Sequence, residues 1–365
     1  MRKYKIVCLE GDGISRETVP ETLKVLQGAE QATSGVNFDL IVFPAGAEYW
    51  EQTGGKNAWP SDAENACLGA DGIFKGPMSE IGKAQADIHA IYFDFLRKEL
   101  DTYANLRPCR ILPGVKSVLA GKKPGEIDFV VVRENTEERY SFMGGRLRRG
   151  GKDEAAVDVS LLTRKGCERV IRYAFELARK RDGAPLDKRK RVTCTCKYGL
   201  INGDTFFRDI FDEVGKEYPT ILKDTAWIDA WTYWALKNPE FYDVVVTTNQ
   251  YGDIISDMNG AIQGSLGIAS SLCVGDRYAY AEATHGTAPD IMGKGIANPI
   301  SLILSVQMLL TWMGEKYQDA SLTKAANKVE SAVFTVLRKG KVLTPDLGGT
   351  STTCDVGDAI SKAID

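Results

Sequence analysis

The stretch Tyr242-Asp243-Val244-Val245-Val246-Thr247-Thr248-Asn249-Gln250-Tyr251-Gly252-Asp253-Ile254-Ile255-Ser256-Asp257 decides how the chain is read. Its β-branched run at 244–246 reads as a buried strand, Gly252 marks a turn, and a helical pattern starts at Asp253. Asp253 and Asp257 lie four residues apart, hence on one helix face, where like charges repel unless a cation comes between them. Read alone, an N-cap acid followed by a solvated second-turn acid explains the pair more simply.

Working outward, the N-terminal residues 5–9 read as a strand, followed by Glu10-Gly11-Asp12-Gly13-Ile14-Ser15 and a helix through Leu26. Strand, glycine turn and helix in that order suit α/β architecture, with amides near Ser15 able to face an anion. The turn lacks the third glycine of the dinucleotide fingerprint. No acidic residue closes a second strand about 20 residues on either, which argues against a Rossmann domain. Further strands are expected at 40–43, 72–75, 128–132 and 192–196, and helices at 93–100, 163–180, 204–218 and 225–236. Residues 79–89 have no clear period and read as a loop lining a site. Residues 144–152 are basic and glycine-rich between alternating residues, as in a projecting hairpin arm.

The 365 residues are 44% hydrophobic and 26% charged, which suits a soluble chain of two or three core-forming units. A net charge of -3, from 46 basic and 49 acidic residues, leaves no footprint for nucleic acid or an acidic membrane. The cysteines form no C-x-x-C pair and are complemented only by His89 and His285. A thiolate zinc site is set aside, and reduced thiols in a cytoplasmic protein are expected. No signal-like segment precedes residues 6–9. The apolar stretch 300–313 contains Ser301, Ser305 and Gln307 and reads as a helix buried against protein, not a membrane span.

Arg97, Arg107 and Arg133 each end an apolar element. Three such forks can clamp a substrate with more than one carboxylate, since each guanidinium matches a carboxylate bidentately; three surface arginines are the competing account. Lys197 leaves a strand tip as a candidate base. Asp229, among Trp227, Ile228 and Trp231, calls for a buried partner or a cation. With Asp253 and Asp257 it makes an oxygen-only set, the chemistry of Mg2+ or Mn2+ rather than zinc. Tyr140 can donate a proton or simply pack. Segments 282–290 and 293–299 are glycine-rich and turn-forming; they can present amides and the His285 ring to a nucleotide, or form an ordinary long loop.

Together these segments resemble the β-decarboxylating dehydrogenases that act on 3-substituted malates, a family including isopropylmalate, isocitrate, homoisocitrate and tartrate/D-malate dehydrogenases. The resemblance runs from Gly11-Asp12-Gly13-Ile14 to Pro345-Asp346-Leu347-Gly348-Gly349-Thr350. It is carried by Leu96-Arg97, Asn105-Leu106-Arg107-Pro108, Val132-Arg133-Glu134-Asn135-Thr136-Glu137 with Tyr140, Gly252-Asp253-Ile254-Ile255-Ser256-Asp257, and His285-Gly286-Thr287-Ala288-Pro289-Asp290 through Asn298-Pro299. Residues 133–137 and their approach Glu126-Ile127-Asp128-Phe129 look most like the tartrate/D-malate branch.

The resemblance implies an isocitrate/isopropylmalate dehydrogenase-like α/β fold of two domains, non-Rossmann, with a discontinuous first domain. Residues 1–102 and 264–365 would bind the nucleotide, and 103–263 would form a dimerisation and substrate domain with an arm near 140–159. It implies a homodimer whose metal-dependent, NAD-linked reaction oxidises a 3-substituted malate at C2 and releases its β-carboxylate as CO2. On this reading Arg97, Arg107 and Arg133 hold the malate moiety, and Asp253 and Asp257 bind Mg2+ or Mn2+. Lys197 and Asp229 serve a site completed from the partner subunit, Asp229 also joining the metal. Lys197, assisted by Asp229, takes the C2 hydroxyl proton, and Tyr140 protonates C3. His285, Gly286, Thr287, Ala288, Asp290 and Asn298 take the cofactor. Asp290 argues for NAD, because a carboxylate accepts from ribose hydroxyls and repels a 2′-phosphate.

The chain departs from the family in two places. Relatives place Asn two residues after the catalytic lysine, where this chain has Tyr198-Gly199, so that contact is missing or falls to Asn202. Before Arg97, where the substrate's variable group is read, Ile91 and Phe93 stand where isocitrate enzymes present small polar residues. An apolar substituent follows, although Lys83 or His89 can still meet a third carboxylate, as isocitrate or homoisocitrate would require. A non-catalytic regulatory subunit is the alternative from another class, and the joint presence of Lys197, Tyr140, Asp229, Asp253 and Asp257 speaks against it.

Overall fold

The run at Val244–Thr247 is a wholly buried strand in the computed structural model of this chain, which describes residues 2–79 and 82–364. Parallel strands flank it on both sides, with Val244 opposite Val130 in one and Val192 in the other. Strands covered on both faces read as such continuous β-branched runs. The helix that follows spans Asn249–Gln263, so it begins before Asp253, and Gly252 lies inside it, not in a turn. Packing is the cause. A Cβ at Gly252 would stand 2.5 Å from Cγ of Arg133, and the glycine lets that side chain pass.

Among the described residues the strands are β1 (Tyr4–Leu9), β2 (Phe38–Phe43), β3 (Gly72–Lys75), β4 (Ala104–Arg110), β5 (Asp128–Glu134), β6 (Gly144–Arg149), β7 (Lys152–Asp158), β8 (Arg191–Cys196), β9 (Leu222–Trp227), β10 (Val244–Thr247), β11 (Ser270–Val274) and β12 (Ala279–Ala283). The chain divides into two units: Met1–Thr102, Arg107–Gly125 and Asp257–Asp365 in the first, Tyr103–Leu106 and Glu126–Ser256 in the second. In the first unit the strand order is β2-β1-β3-β12-β11, parallel except where β11 meets β12. The helix Ile300–Tyr317 belongs to this unit; its buried run from Ile300 to Gln307 includes Ser301 and Ser305, which bond to backbone carbonyls. No helix among the described residues is long and apolar enough to cross a membrane.

In the second unit β5-β10-β8-β9 are all parallel. The helix Arg164–Lys180 is capped by Thr163, whose side chain accepts from the Gly166 amide. Residues 225–227 close strand β9 instead of opening a helix, which occupies Ile228–Lys237. Along β9 exposure alternates residue by residue, a period that belongs to strands. β6 and β7 pair antiparallel as a hairpin in which every residue is exposed.

The segment expected as a loop at 79–89 is helical from Gln85 onward, after a turn at 83–84; Glu80 and Ile81 lie outside the described residues. Gln85–His89 forms an α-turn that runs into a π-helix over Ala90–Glu99. Its wide winding is visible in the bonds from Leu100 N–H to Phe95 O and from Thr102 N–H to Arg97 O, both 3.0 Å. π-helical turns are rare and concentrate at functional sites.

Candidate active site

Arg133 is the penultimate residue of strand β5 in the second unit, and its side chain is 1% exposed. Two residues of the helix Asn249–Gln263 take it. Asn249 Oδ1 accepts from Nε at 3.0 Å and from Nη2 at 2.7 Å, while Nη1 donates to the Asp253 carboxylate. The other Asp253 oxygen accepts from the Tyr140 hydroxyl at 2.9 Å. Tyr140 rides on the short turn Arg139–Ser141, bracketed by Glu138 at φ 67° and Phe142 at φ 57°. Such left-handed backbone costs on the order of 1–3 kcal/mol per non-glycine residue and persists where surroundings over-determine it, often at sites.

Asn249 is the residue that sequence reading missed. Its Nδ2 donates to Glu134 at 3.3 Å and to the Glu137 carbonyl at 3.2 Å, so one amide holds the guanidinium and is itself held. Burial pushes the Glu134 carboxyl up, against hydrogen bonds from Thr136 and Glu137 that pull it down. The asparagine's place three residues before Gly252 was the available signal.

Lys197 follows β8 in the same unit, its amide bonded to Asp204 at 2.6 Å. Its ammonium pairs with Asp229 and lies 5.0 Å from the Trp227 ring centre. Asp229 is not enclosed, as its neighbours suggested; it is the second residue of the helix Ile228–Lys237, which buries Trp231 and Ala235, and its side chain is 64% exposed. The hydrogen bond from Lys197 holds its carboxyl below the usual range. Tyr198 packs edge-on against Trp227, and Asn202 is exposed at the start of the helix Asn202–Val214.

In the first unit Arg107, on β4, reaches Asp257 at 3.6 Å. Arg97 is buried, 4.3 Å from the Tyr92 ring centre and 4.7 Å from that of Phe93, and donates to the Tyr92 hydroxyl at 2.6 Å. Tyr92 in turn donates to Glu282 at 3.1 Å, and Glu282 pairs with Lys75 at 2.9 Å, both ends buried. Burial alone would raise the Glu282 carboxyl, yet Lys75, Arg97 and Arg107 outweigh it and hold it below the usual range. Phe93 thus stands at Arg97, whereas Ile91 lines a cleft of about 250 Å³ with Trp59, Asp94 and Phe95.

The loop from His285 also lies in this unit. Gly13 lets the β1 turn approach it: the Ile14 amide donates to the Thr287 carbonyl at 3.0 Å, and Gly13 has φ 63° with Thr287 directly against its open side. Ala288 holds φ 43°. Asp290 is exposed. His285 Nδ1 lies 3.0 Å from the Gly286 carbonyl, and Nε2 is buried with no hydrogen-bond partner among the described residues. Asn298 is fully engaged, its Nδ2 on Asp346 at 3.0 Å and its Oδ1 on the Ile300 amide at 3.0 Å, so its side chain braces the loop.

These features fit the groups expected there. A Cβ at Gly286, next in sequence to His285 with its orphaned nitrogen, or at Gly293 or Gly295 would meet nothing within 4 Å, so the backbone of this loop is open to approach, as a nucleotide requires. Asp253 in the second unit and Asp257 in the first present carboxylates 40% and 59% exposed, each answered by a guanidinium of its own unit, and carboxylate oxygens are the donors a hard divalent cation takes. The one three-ligand cluster found among the described residues, Glu21, Cys354 and Asp358, holds the Lys24 ammonium instead.

Comparison with known proteins agrees with this reading. The profile of the isocitrate/isopropylmalate dehydrogenase family matches residues 5–360. The chain is 38% identical over 362 residues to the 3-isopropylmalate/3-methylmalate dehydrogenase of Methanocaldococcus jannaschii, covering 99% of each. It is 38% identical over 371 residues to the decarboxylating D-malate dehydrogenase of Escherichia coli, covering 100% of this chain and 99% of that one. Its fold, mixed α/β, matches the crystal structure of isocitrate dehydrogenase from Methylococcus capsulatus with a TM-score of 0.86 at 32% identity, over 99% of both chains.

Proposed function

The chain belongs to the isocitrate/isopropylmalate dehydrogenase family and is an oxidoreductase, a β-decarboxylating dehydrogenase; from that premise we propose that it oxidises a 3-substituted malate at C2 with NAD and releases the β-carboxylate as CO2. The observation that carries this is the convergence of Arg133 and Tyr140 on Asp253. One carboxylate there touches both a substrate-binding cation and a proton donor, and the similar proteins act, by their names, on 3-isopropylmalate, 3-methylmalate and D-malate.

In this reading Arg97, Arg107 and Arg133 bind the carboxylates of the hydroxy acid and orient C2 and C3. Asp253 and Asp257, joined by Asp229, hold Mg2+ or Mn2+, whose chemistry when bound is to polarise the C2 oxygen and stabilise the enolate left by CO2 loss. Lys197, kept by Asp229, accepts the C2 hydroxyl proton. Tyr140 delivers a proton to C3 of the enolate, from a hydroxyl already aimed at Asp253. His285, Gly286, Thr287, Ala288, Asp290 and Asn298 would hold NAD, with the Asp290 carboxylate able to accept from its ribose hydroxyls, and the cofactor would supply the hydride acceptor for C2.

A homodimer completes the site. The Asp229 side chain is 64% exposed, and exposed apolar side chains of the second unit include Trp227, Tyr233, Trp234 and Leu236 on the strand end and helix that carry it, and Leu147 and Val157 on the hairpin. Patches of this kind mark association surfaces. The free cysteines suit a reducing cytoplasm. With Phe93 over Arg97, the substituent at C3 is apolar or small. Incubation with NAD, Mn2+ and each of malate, tartrate, isocitrate, homoisocitrate, isopropylmalate and aryl-substituted malates tests the proposal. NADH should form with at least one, fastest with a dicarboxylate; no NADH with any of them refutes it.

A further inference from the structure

The π winding of Ala90–Glu99 places a residue beside Arg97 that α-periodicity hides. In an α-helix, residues five apart point about 140° away from each other. With i→i+5 bonding they come over one another, and Tyr92 meets Arg97, ring centre 4.3 Å from the guanidinium carbon and hydroxyl 2.6 Å from Nη2. The same hydroxyl donates to Glu282, which Lys75 fixes from the other side while its ammonium lies 4.3 Å from the Tyr92 ring centre. Phe93 flanks the guanidinium and is itself braced edge-on by His89 and Tyr92. A buried guanidinium keeps a defined plane only if its edges and faces are held, and here Tyr92 holds one of each.

We propose that Tyr92 is a substrate-positioning residue: by accepting from Arg97 and donating to Glu282 it fixes the plane in which Arg97 meets the hydroxy acid's carboxylate. This rests on the reading of Arg97 as a substrate ligand given above. The hydroxyl acts on the angle of the fork and the ring on its depth, so the two are separable. Tyr92→Phe removes the hydroxyl and keeps the ring; Tyr92→Leu removes both.

The experiment uses the full chain, the hydroxy acid of the panel above that turns over fastest, and three variants: Tyr92→Phe, Tyr92→Leu and Arg97→Lys. Four quantities are read: KM for the acid, kcat, KM for NAD, and the Kd of the acid by calorimetry with Mg2+ and no NAD. Tyr92→Phe should raise KM and Kd for the acid roughly tenfold, as expected for one hydrogen bond to a charged group, with kcat and KM for NAD within about twofold. Tyr92→Leu should raise them by about another threefold as the cation–π contact goes. If both Tyr92 variants keep wild-type values while Arg97→Lys raises KM and Kd, the positioning role is overturned and the proposed reaction stands. If Arg97→Lys also changes nothing, Arg97 leaves the substrate site and both readings go with it. A parallel loss of kcat, NAD affinity and thermal stability in Tyr92→Phe makes Tyr92 a packing residue and overturns the role.

Discussion

Arg133, near the end of β5, and Asp253, in the second turn of the helix Asn249–Gln263, are ion-paired, and Asn249 accepts from two further nitrogens of the same guanidinium. A proposed substrate ligand and a proposed metal ligand thus share one contact. If Asp253 holds the divalent cation as proposed, the cation would compete with Arg133 for its carboxylate, and metal binding would then be coupled to the aim of Arg133.

Mn2+ should therefore raise the thermal stability of the wild type, since an ion bound only to the folded chain stabilises it, by about 2.7 kcal/mol at a hundredfold excess over Kd. Asp253→Asn should show no such rise. Differential scanning fluorimetry against a Mn2+ series reads it, and a rise preserved in the variant removes Asp253 from the metal.

Gly252→Ala sets a methyl 2.5 Å from Cγ of Arg133. Overpacking of that kind costs roughly 1–3 kcal/mol, more than the ~1 kcal/mol that alanine gains over glycine inside a helix. The variant should unfold at lower denaturant and bind the hydroxy acid more weakly. A variant as stable as the wild type would contradict the packing role of this glycine.

Burial pushes the His285 imidazole below its ordinary value. As pH falls, the unfolded chain, near pH 6.5, takes up the proton before the folded one does. The contribution of the neutral ring is complete above that value and is lost as pH falls below it toward the folded pKa. Relative to His285→Gln, wild-type unfolding free energy should decline between pH 7.5 and 5.5. Parallel pH profiles for the two proteins, from urea titrations, would falsify this.

Leu147 and Val157 are 57% and 62% exposed on a hairpin with no buried residue. A two-stranded hairpin is marginal alone in water. Leu147→Asp with Val157→Asp should shift the protein from dimer to monomer in sedimentation and abolish NADH formation together. An active monomer would dissociate the site from the partner subunit.

Strands of the Val244–Thr247 kind were readable because burial on both faces leaves an uninterrupted β-branched run, a signal local to four residues. Arg133, Tyr140 and Asp253 were named from their motifs, and the second unit brings them together. The helix start was misread because Gly252 looks like a turn until Arg133 is seen crossing it; glycine for close approach and glycine for φ are identical in sequence. Asp229 was judged from its tryptophan neighbours, but Trp227 ends strand β9 and a new helix begins at Ile228, which buries Trp231 and leaves Asp229 outward in its first turn. Tyr92 and Asn249 stayed hidden for a different reason. Each works through another side chain, and neither partner lies at a spacing that ordinary helix or strand periodicity singles out.

The π-helix makes the wall around Arg97 a matter of chain length. Deleting one residue between Ala90 and Glu99 would restore i→i+4 bonding and turn everything before Arg97 by about 100°, retiring Tyr92 and bringing a different side chain to the guanidinium. Several positions would change their neighbours in that single event, which no point substitution achieves. A one-residue deletion in this short segment would thus rebuild the wall around Arg97 while leaving in place the arginines and acids proposed to bind substrate and metal.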